Sequence, residues 1–228
     1  MYLSRVESPW DAVRNPYEVH RKLWTLFPGQ DREPRGSAEE DRQGFLFRFE
    51  QFETGRPVRL LVQSRQSPAV ESACREGLTL LGSREFSPAP SEGQRLAFVL
   101  TANPVKTIVD AQSAEKPDKA ERHAMKTSRR SDDKPQPPKC RVPLIKEDEQ
   151  QQWLARKLAG AAALESVDIL PHAPLYFRKR NQGGKLVTCT FEGVLRVVSP
   201  AQLVGLMKNG IGPAKSFGCG LLLVRRTR

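Results

Sequence analysis

Phe45-Leu-Phe-Arg-Phe-Glu50 and Val58-Arg-Leu-Leu-Val-Gln-Ser64 are the two stretches on which the fold turns. Apolar and polar residues alternate in both, the period of a half-buried strand rather than of a helix. Working outward, Tyr2–Val6 reads as a strand before them and Leu78–Phe86 as one after them. A helix begins near Pro16, and a second, short helix follows Pro68. Strand, helix, strand, strand, helix, strand is the βαββαβ order of a ferredoxin-like (RRM-like) domain, an antiparallel sheet with helices on one face. Ser87-Pro-Ala-Pro-Ser-Glu-Gly93 is turn chemistry and marks a boundary, giving a first domain over 1–90 and a second over 94–228.

The second unit repeats the order. Arg95–Thr101 is expected as a strand and Glu147–Ala162 as a helix built from strong helix formers. Val167–Arg178 and Leu186–Val198 form a strand pair, joined through Asn181-Gln-Gly-Gly184 as hairpin turn. Pro200–Asn209 is a helix with Ser199 as N-cap, Pro200 at its first position and Gly210 at its end, and Gly220–Arg226 closes the sheet. The fold class is therefore α+β, two tandem ferredoxin-like domains. Residues 112–141 interrupt the second with Lys, Arg, Asp, Ser and Pro and almost nothing apolar, so they cannot repay the entropy of ordering. They read as a disordered basic insertion, either solvated filler or an RNA-contacting arm.

The chain has 228 residues, enough for two cores of ordinary size, and a formal net charge of +11. That charge points to a polyanionic partner, nucleic acid or an anionic membrane surface. No apolar run approaches the roughly 18 residues of a membrane span, and Met1-Tyr-Leu-Ser-Arg-Val6 is no signal peptide, so a cytoplasmic protein is expected. Cys74, Cys140, Cys189 and Cys219 stand apart, with no C-x-x-C pair or neighbouring histidine, and read as reduced thiols rather than a zinc site. No cluster of Asp and Glu suggests a divalent-metal nuclease centre. Neither a metal nor any other cofactor is expected.

The segment richest in chemistry is Asn15-Pro-Tyr-Glu-Val-His-Arg-Lys-Leu-Trp-Thr-Leu-Phe-Pro28. Asn15 fits an N-cap, Pro16 the first helical position and Glu18 the acid of a capping box. Val19, Leu23, Leu26 and Phe27 form the core face, which leaves Tyr17, His20, Arg21 and Trp24 on the neighbouring side. A phenol and an imidazole thus emerge near a helix N-terminus, where backbone N–H groups favour a phosphate. In RNA self-cleavage the ribose 2′-hydroxyl is the nucleophile, so such a pair could supply the proton transfers. A helix histidine beside an aromatic can equally be packing. His123 and His172, in loop contexts, read as surface residues.

Two further segments look suited to RNA. Tyr176-Phe-Arg-Lys-Arg180 with Lys185 makes a basic hairpin tip, fitted to the phosphates and shape of a folded stem. Gly210-Ile-Gly-Pro-Ala-Lys-Ser-Phe-Gly-Cys-Gly220 does not match a nucleotide-binding P-loop and falls between helix and strand rather than strand and helix. No nucleotide cofactor is expected. It is either a loop that lets an RNA backbone approach Lys215 and Ser216, or a tight connection between domains.

Several stretches together resemble the CRISPR-associated repeat endoribonuclease of type I-E systems, the CasE family. They are Met1-Tyr-Leu-Ser4, Tyr17-x-x-His20, Leu23-Trp24 with Leu26-Phe27-Pro28, Ala102-Asn-Pro-Val-Lys-Thr107, Cys140-Arg-Val-Pro-Leu-Ile-Lys146, Phe191-Glu-Gly-Val-Leu195 and Gly210-Ile-Gly-Pro-Ala-Lys-Ser216. The resemblance implies metal-independent cleavage of a CRISPR precursor transcript at the base of each repeat hairpin. It also implies a 2′,3′-cyclic phosphate product and retention of the guide among the other Cascade subunits. His20 and Tyr17 fall on the family's catalytic pair. Arg21, Lys22, Lys106, Arg178, Lys179, Arg180, Lys185, Lys215 and Ser216 are the expected RNA contacts. Some members carry a supporting lysine where this chain has Thr25, so charge stabilisation must come from another group, such as Arg21 or Lys22. The rival expectation is a non-catalytic RNA-binding subunit of a ribonucleoprotein. A general cationic RNA binder, indifferent to hairpin sequence, is the third.

Overall fold

The structure, a computed structural model, describes residues 1–228 except 14, 29–43, 52, 72–76, 110–138, 180–181 and 228, and of residues 16, 17, 109, 139, 179 and 182 the backbone only. The first half contains β1 (Tyr2–Ser8), α1 (Pro16–Leu23), β2 (Phe45–Gln51), β3 (Val58–Ser64) and β4 (Thr79–Glu85). Their sheet has the order β2-β3-β1-β4 with every neighbouring pair antiparallel. A right-handed βαβ crossover that leaves room for one antiparallel strand between its two parallel ones produces this order. Val6, Phe45, Phe47, Val58, Leu60 and Val62 point from the sheet into a core closed by Val19, Leu23, Leu26 and Phe27. Those last four are the face that helical spacing predicts. The short helix expected after Pro68 falls largely on 72–76, outside the described residues.

The second half contains β5 (Arg95–Ala102), α2 (Glu147–Leu158), β8 (Ala162–Pro171), β11 (Cys189–Val197), α3 (Pro200–Asn209) and β12 (Leu222–Arg226). The sheet order β12-β5-β11-β8, again antiparallel throughout, repeats the first topology strand for strand. The chain is thus a tandem of ferredoxin-like folds. Trp153 of α2 stacks on Phe191 of β11 at 6.1 Å within the second core. Ser199 caps α3 by accepting from the Gln202 N–H, and Pro200 begins the helix. Residues 1–104 and 146–228 form one compact unit. A second unit, 105–145, contains the two-stranded ribbon of β6 (Val105–Val109) and β7 (Lys139–Pro143).

Four boundaries differ from the sequence-based expectation. Helix α2 stops at Leu158 rather than Ala162, because Ala159 leaves helical geometry and Gly160 takes φ +80°. The apolar Ala162-Ala163-Leu164 that follows belongs to β8. The long pair Val167–Arg178 with Leu186–Val198 is broken by Pro171 and Pro174, which cannot donate to a ladder. The main sheet ends at the pairing Pro171↔Cys189, and a separate hairpin of β9 (Leu175–Lys179) and β10 (Gln182–Leu186) continues beyond it. Arg180 and Asn181 lie outside the described residues, whereas Gly183 and Gly184 are ladder residues opposite Arg178 and Phe177. Finally, β7 takes up Lys139–Arg141, the end of the expected insertion. The remainder of that stretch lies outside the described residues.

Candidate nucleic-acid interface and active site

Helix α1 sits against β2, and His20 is wedged among aromatic rings. Its centroid lies 5.1 Å from Phe45, 6.3 Å from Phe47 and 6.0 Å, edge-on, from Trp24. The residue is half-buried, so part of it keeps contact with solvent. Tyr17 lies one turn earlier on the same helix, and its side chain is outside the described set. Arg21 is exposed and ion-paired with Glu18 at 2.6 Å, and Lys22 is half-buried. Thr25 donates its hydroxyl to the Lys22 carbonyl at 2.7 Å, a local cap that contributes no charge.

Two segments remote in sequence pack on α1: strand β9 and the 3-10 turn Lys215–Phe217. Contacts at Phe177 and Arg178 tie the hairpin to the body. Phe177 meets Phe217 at 4.5 Å between ring centroids. On β9, the Asn15 amide N–H donates to the Arg178 carbonyl at 2.9 Å, and the Arg178 N–H donates back to the Asn15 Oδ1 at 3.4 Å. Sequence reasoning assigned Asn15 to its own helix. A capping asparagine and one that reaches sideways share one local signature.

Alternation along the ladder gives the hairpin two unlike faces. Phe177 looks inward, and its ring crosses Gly184 so closely that a Cβ there would lie 2.1 Å from it. Tyr176, Arg178, Gly183 and Lys185 share the other face. They line, with Asn15, Phe177 and Gly184, an open cleft of about 610 Å³. Tyr176 is 69 % exposed. Lys185 Nζ lies 5.9 Å from its ring centroid, near the outer limit of a cation–π contact. The Lys179 side chain and all of Arg180 fall outside the described residues.

The glycine-rich loop is a tight connection. A Cβ at Gly210 would meet Leu46 of β2 at 2.8 Å, and one at Gly212 would meet Trp153 of α2 at 2.9 Å. Lys215 donates from Nζ to the Asn209 carbonyl at 2.7 Å, which satisfies the C-terminal end of α3. Ser216 is half-buried beside it. Lys106 is exposed on β6, in the second unit.

A second cleft, about 550 Å³, runs between the sheets and is lined by Arg48, Glu50, His172, Thr190, Glu192 and Phe217 among others. His172 is exposed on the loop after β8, as its context suggests, yet its ring nitrogens lie 3.0 Å from the Thr190 hydroxyl and 3.5 Å from that of Thr188. Burial of the imidazole, then the nearby Arg48 charge, lowers its pKa. Burial also lowers that of Arg48, against the pull of Glu50 and Glu192. Among the described residues no group of three His, Cys, Asp or Glu side chains could hold a metal ion, and no helix is long and apolar enough to cross a membrane.

Fold and site together define a tandem ferredoxin-like protein with a helix histidine beside a clamped basic hairpin. The chain belongs to the family described as "CRISPR associated protein", whose match spans residues 1–226. It is 39% identical over 222 residues to the CRISPR system Cascade subunit CasE of Escherichia coli K12, covering 97% of this chain and 98% of that one. The crystal structure of Cas6e from the same organism aligns over 100% of both chains with a TM-score of 0.76 and 36% identity. The CRISPR-associated endoribonuclease Cse3 of Thermus thermophilus is 32% identical over 226 residues, covering 93% of this chain and 90% of that protein. A structure of Cse3 bound to a 19-nucleotide RNA covers 99% of this chain and 100% of its own, with a TM-score of 0.72 and 27% identity.

Proposed function

We propose that the protein is a CRISPR repeat endoribonuclease that cleaves precursor RNA at the base of the repeat hairpin and keeps the processed guide within a Cascade assembly. The observation that carries this is convergence: α1 with His20 packs on both the basic hairpin strand Leu175–Lys179 and the Lys215–Phe217 turn, segments remote from it in the chain. The relatives, a Cascade subunit and an RNA-bound CRISPR endoribonuclease, support the same reading. The first 90 residues supply the helix that cuts, and those from 94 onward supply the hairpin that grips. Such an enzyme works in the cytoplasm, where its transcript is made.

The chemistry needs no external nucleophile. The 2′-hydroxyl attacks the adjacent phosphorus, the bond to the 5′-oxygen breaks, and a 2′,3′-cyclic phosphate remains on the upstream product. His20 moves a proton at one end of this displacement, and Tyr17 assists at the other. No step requires a metal ion. Arg178 and Lys185 hold stem phosphates, with Lys179, Arg180, Arg21 and Lys22 adding positive potential. Lys106, Lys215 and Ser216 contribute further donors.

The aromatic cage around His20 also suits a purely structural histidine in a non-catalytic RNA-binding subunit. His20→Phe separates the two, because it keeps an aromatic ring in the cage and removes the proton chemistry. The expected outcome is a cleavage rate lower by about 10² to 10⁴ with repeat RNA in EDTA, and RNA affinity within about threefold of the parent. Parent-like cutting by His20→Phe, or cutting of a substrate with a 2′-deoxy sugar at the scissile position, overturns the assignment.

A further inference from the structure

Among the described residues strand β9 pairs with β10 alone in a two-stranded sheet, so its other edge carries backbone groups with no described strand beside them. At Arg178 the Asn15 side chain takes the place of that strand. Its amide donates to the Arg178 carbonyl at 2.9 Å and accepts from the Arg178 N–H at 3.4 Å. A carboxamide presents one donor and one acceptor side by side, the same pair a backbone neighbour offers in an antiparallel ladder. Asn15 directly precedes α1, the helix that bears His20. The same residue therefore joins the start of that helix to the middle of the RNA-gripping strand, 163 positions away.

We infer that Asn15 is a positioning residue, a side-chain latch that sets the distance between the gripped stem and the His20 imidazole. The inference rests on the proposed nuclease function and adds to it the means by which the two halves of the site keep register. The Phe177–Phe217 contact holds the inner face of the hairpin through a ring pair. The two Asn15 bonds, at the neighbouring residue, add a directional hold on the β9 backbone. A misplacement of about 1 Å at a reacting centre costs roughly 10²-fold in rate.

Asn15→Ser tests it. Serine caps a helix as well as asparagine does, but it is too short to reach Arg178 and offers a single hydroxyl where two groups are needed. Single-turnover cleavage of repeat RNA at saturating protein is expected to fall about ten- to hundredfold. The melting temperature should stay unchanged, and RNA affinity should move less than about threefold, a shift small beside that rate loss. Amide exchange at Arg178 should quicken, with β10 left protected. A parent-like rate overturns the latch, as does a deficit confined to affinity or a fall in melting temperature that accounts for the lost rate. If instead His20→Phe cleaves normally, the nuclease reading fails, while Arg178 exchange in Asn15→Ser still reports on the latch.

Discussion

Gly183 and Gly184 are adjacent on one strand, yet the structure predicts opposite responses to one added methyl group. A Cβ at Gly183 meets nothing within 4 Å, while at Gly184 it would lie 2.1, 2.5 and 2.7 Å from three carbons of the Phe177 ring. Ordinary carbon contacts begin near about 3.5 Å, so Gly184→Ala must drive the ring back by more than about 1 Å. Overpacking of this kind costs about 1–3 kcal/mol, and the displaced Phe177–Phe217 pair forfeits part of its own contribution of about 0.5–1.5 kcal/mol. At about 1.4 kcal/mol per decade, strain alone shifts the docked-to-undocked hairpin equilibrium by roughly 5- to 150-fold. Hydrogen exchange over Leu175–Leu186 measures this directly. Gly184→Ala should lose protection by that factor, and Gly183→Ala should stay within about 0.5 kcal/mol of the parent. Adding Phe177→Ala to Gly184→Ala should cost less than Phe177→Ala costs the parent, because the overlap has gone. Equal protection in the two alanine variants would refute the ring-over-glycine packing.

Burial pushes the Cys189 and Cys219 thiols up to about 12. Both should resist alkylation at pH 8 until the protein unfolds, while exposed Cys140 reacts at once, as peptide mapping would show. His172 has its pKa lowered by folding, so between that value and about 6.5 the unfolded chain binds more protons. Its contribution is full above about pH 6.5 and declines as pH falls; His172→Gln should flatten the melting-temperature profile between about pH 7 and 5. Lys185→Ala should weaken RNA binding and reduce the slope of log affinity against log salt by about 0.7–0.9, one phosphate's worth. An unchanged slope would remove Lys185 from the interface.

The tandem fold was legible because the alternating residues Phe45, Phe47, Val58, Leu60 and Val62 fill one core, so their spacing marks the strands. The core face of α1 was legible for the equivalent helical reason. The hairpin was readable as basic but not in register. Asn181-Gln-Gly-Gly184 has turn composition, yet both glycines are ladder residues and Gly184 lies under a ring, a fact visible only once Phe177 and Phe217 are seen to meet. The break between β8 and β9 was written in Pro171 and Pro174, and continuous alternation on either side concealed it. The glycine-rich loop left two readings open from sequence. Its close approaches to Leu46 and Trp153 explain Gly210 as packing against the first half and Gly212 as packing within the second, and Lys215 as a helix cap.

The two-faced hairpin has an evolutionary corollary. Phe177 secures it to the body over Gly184, while positions 176, 178, 183 and 185 point the other way. The outward set can therefore drift, or be redesigned, without loosening its mount. If that face reads the repeat, as the proposed function requires, retargeting to a foreign repeat is the exchange of a reading head on a fixed handle.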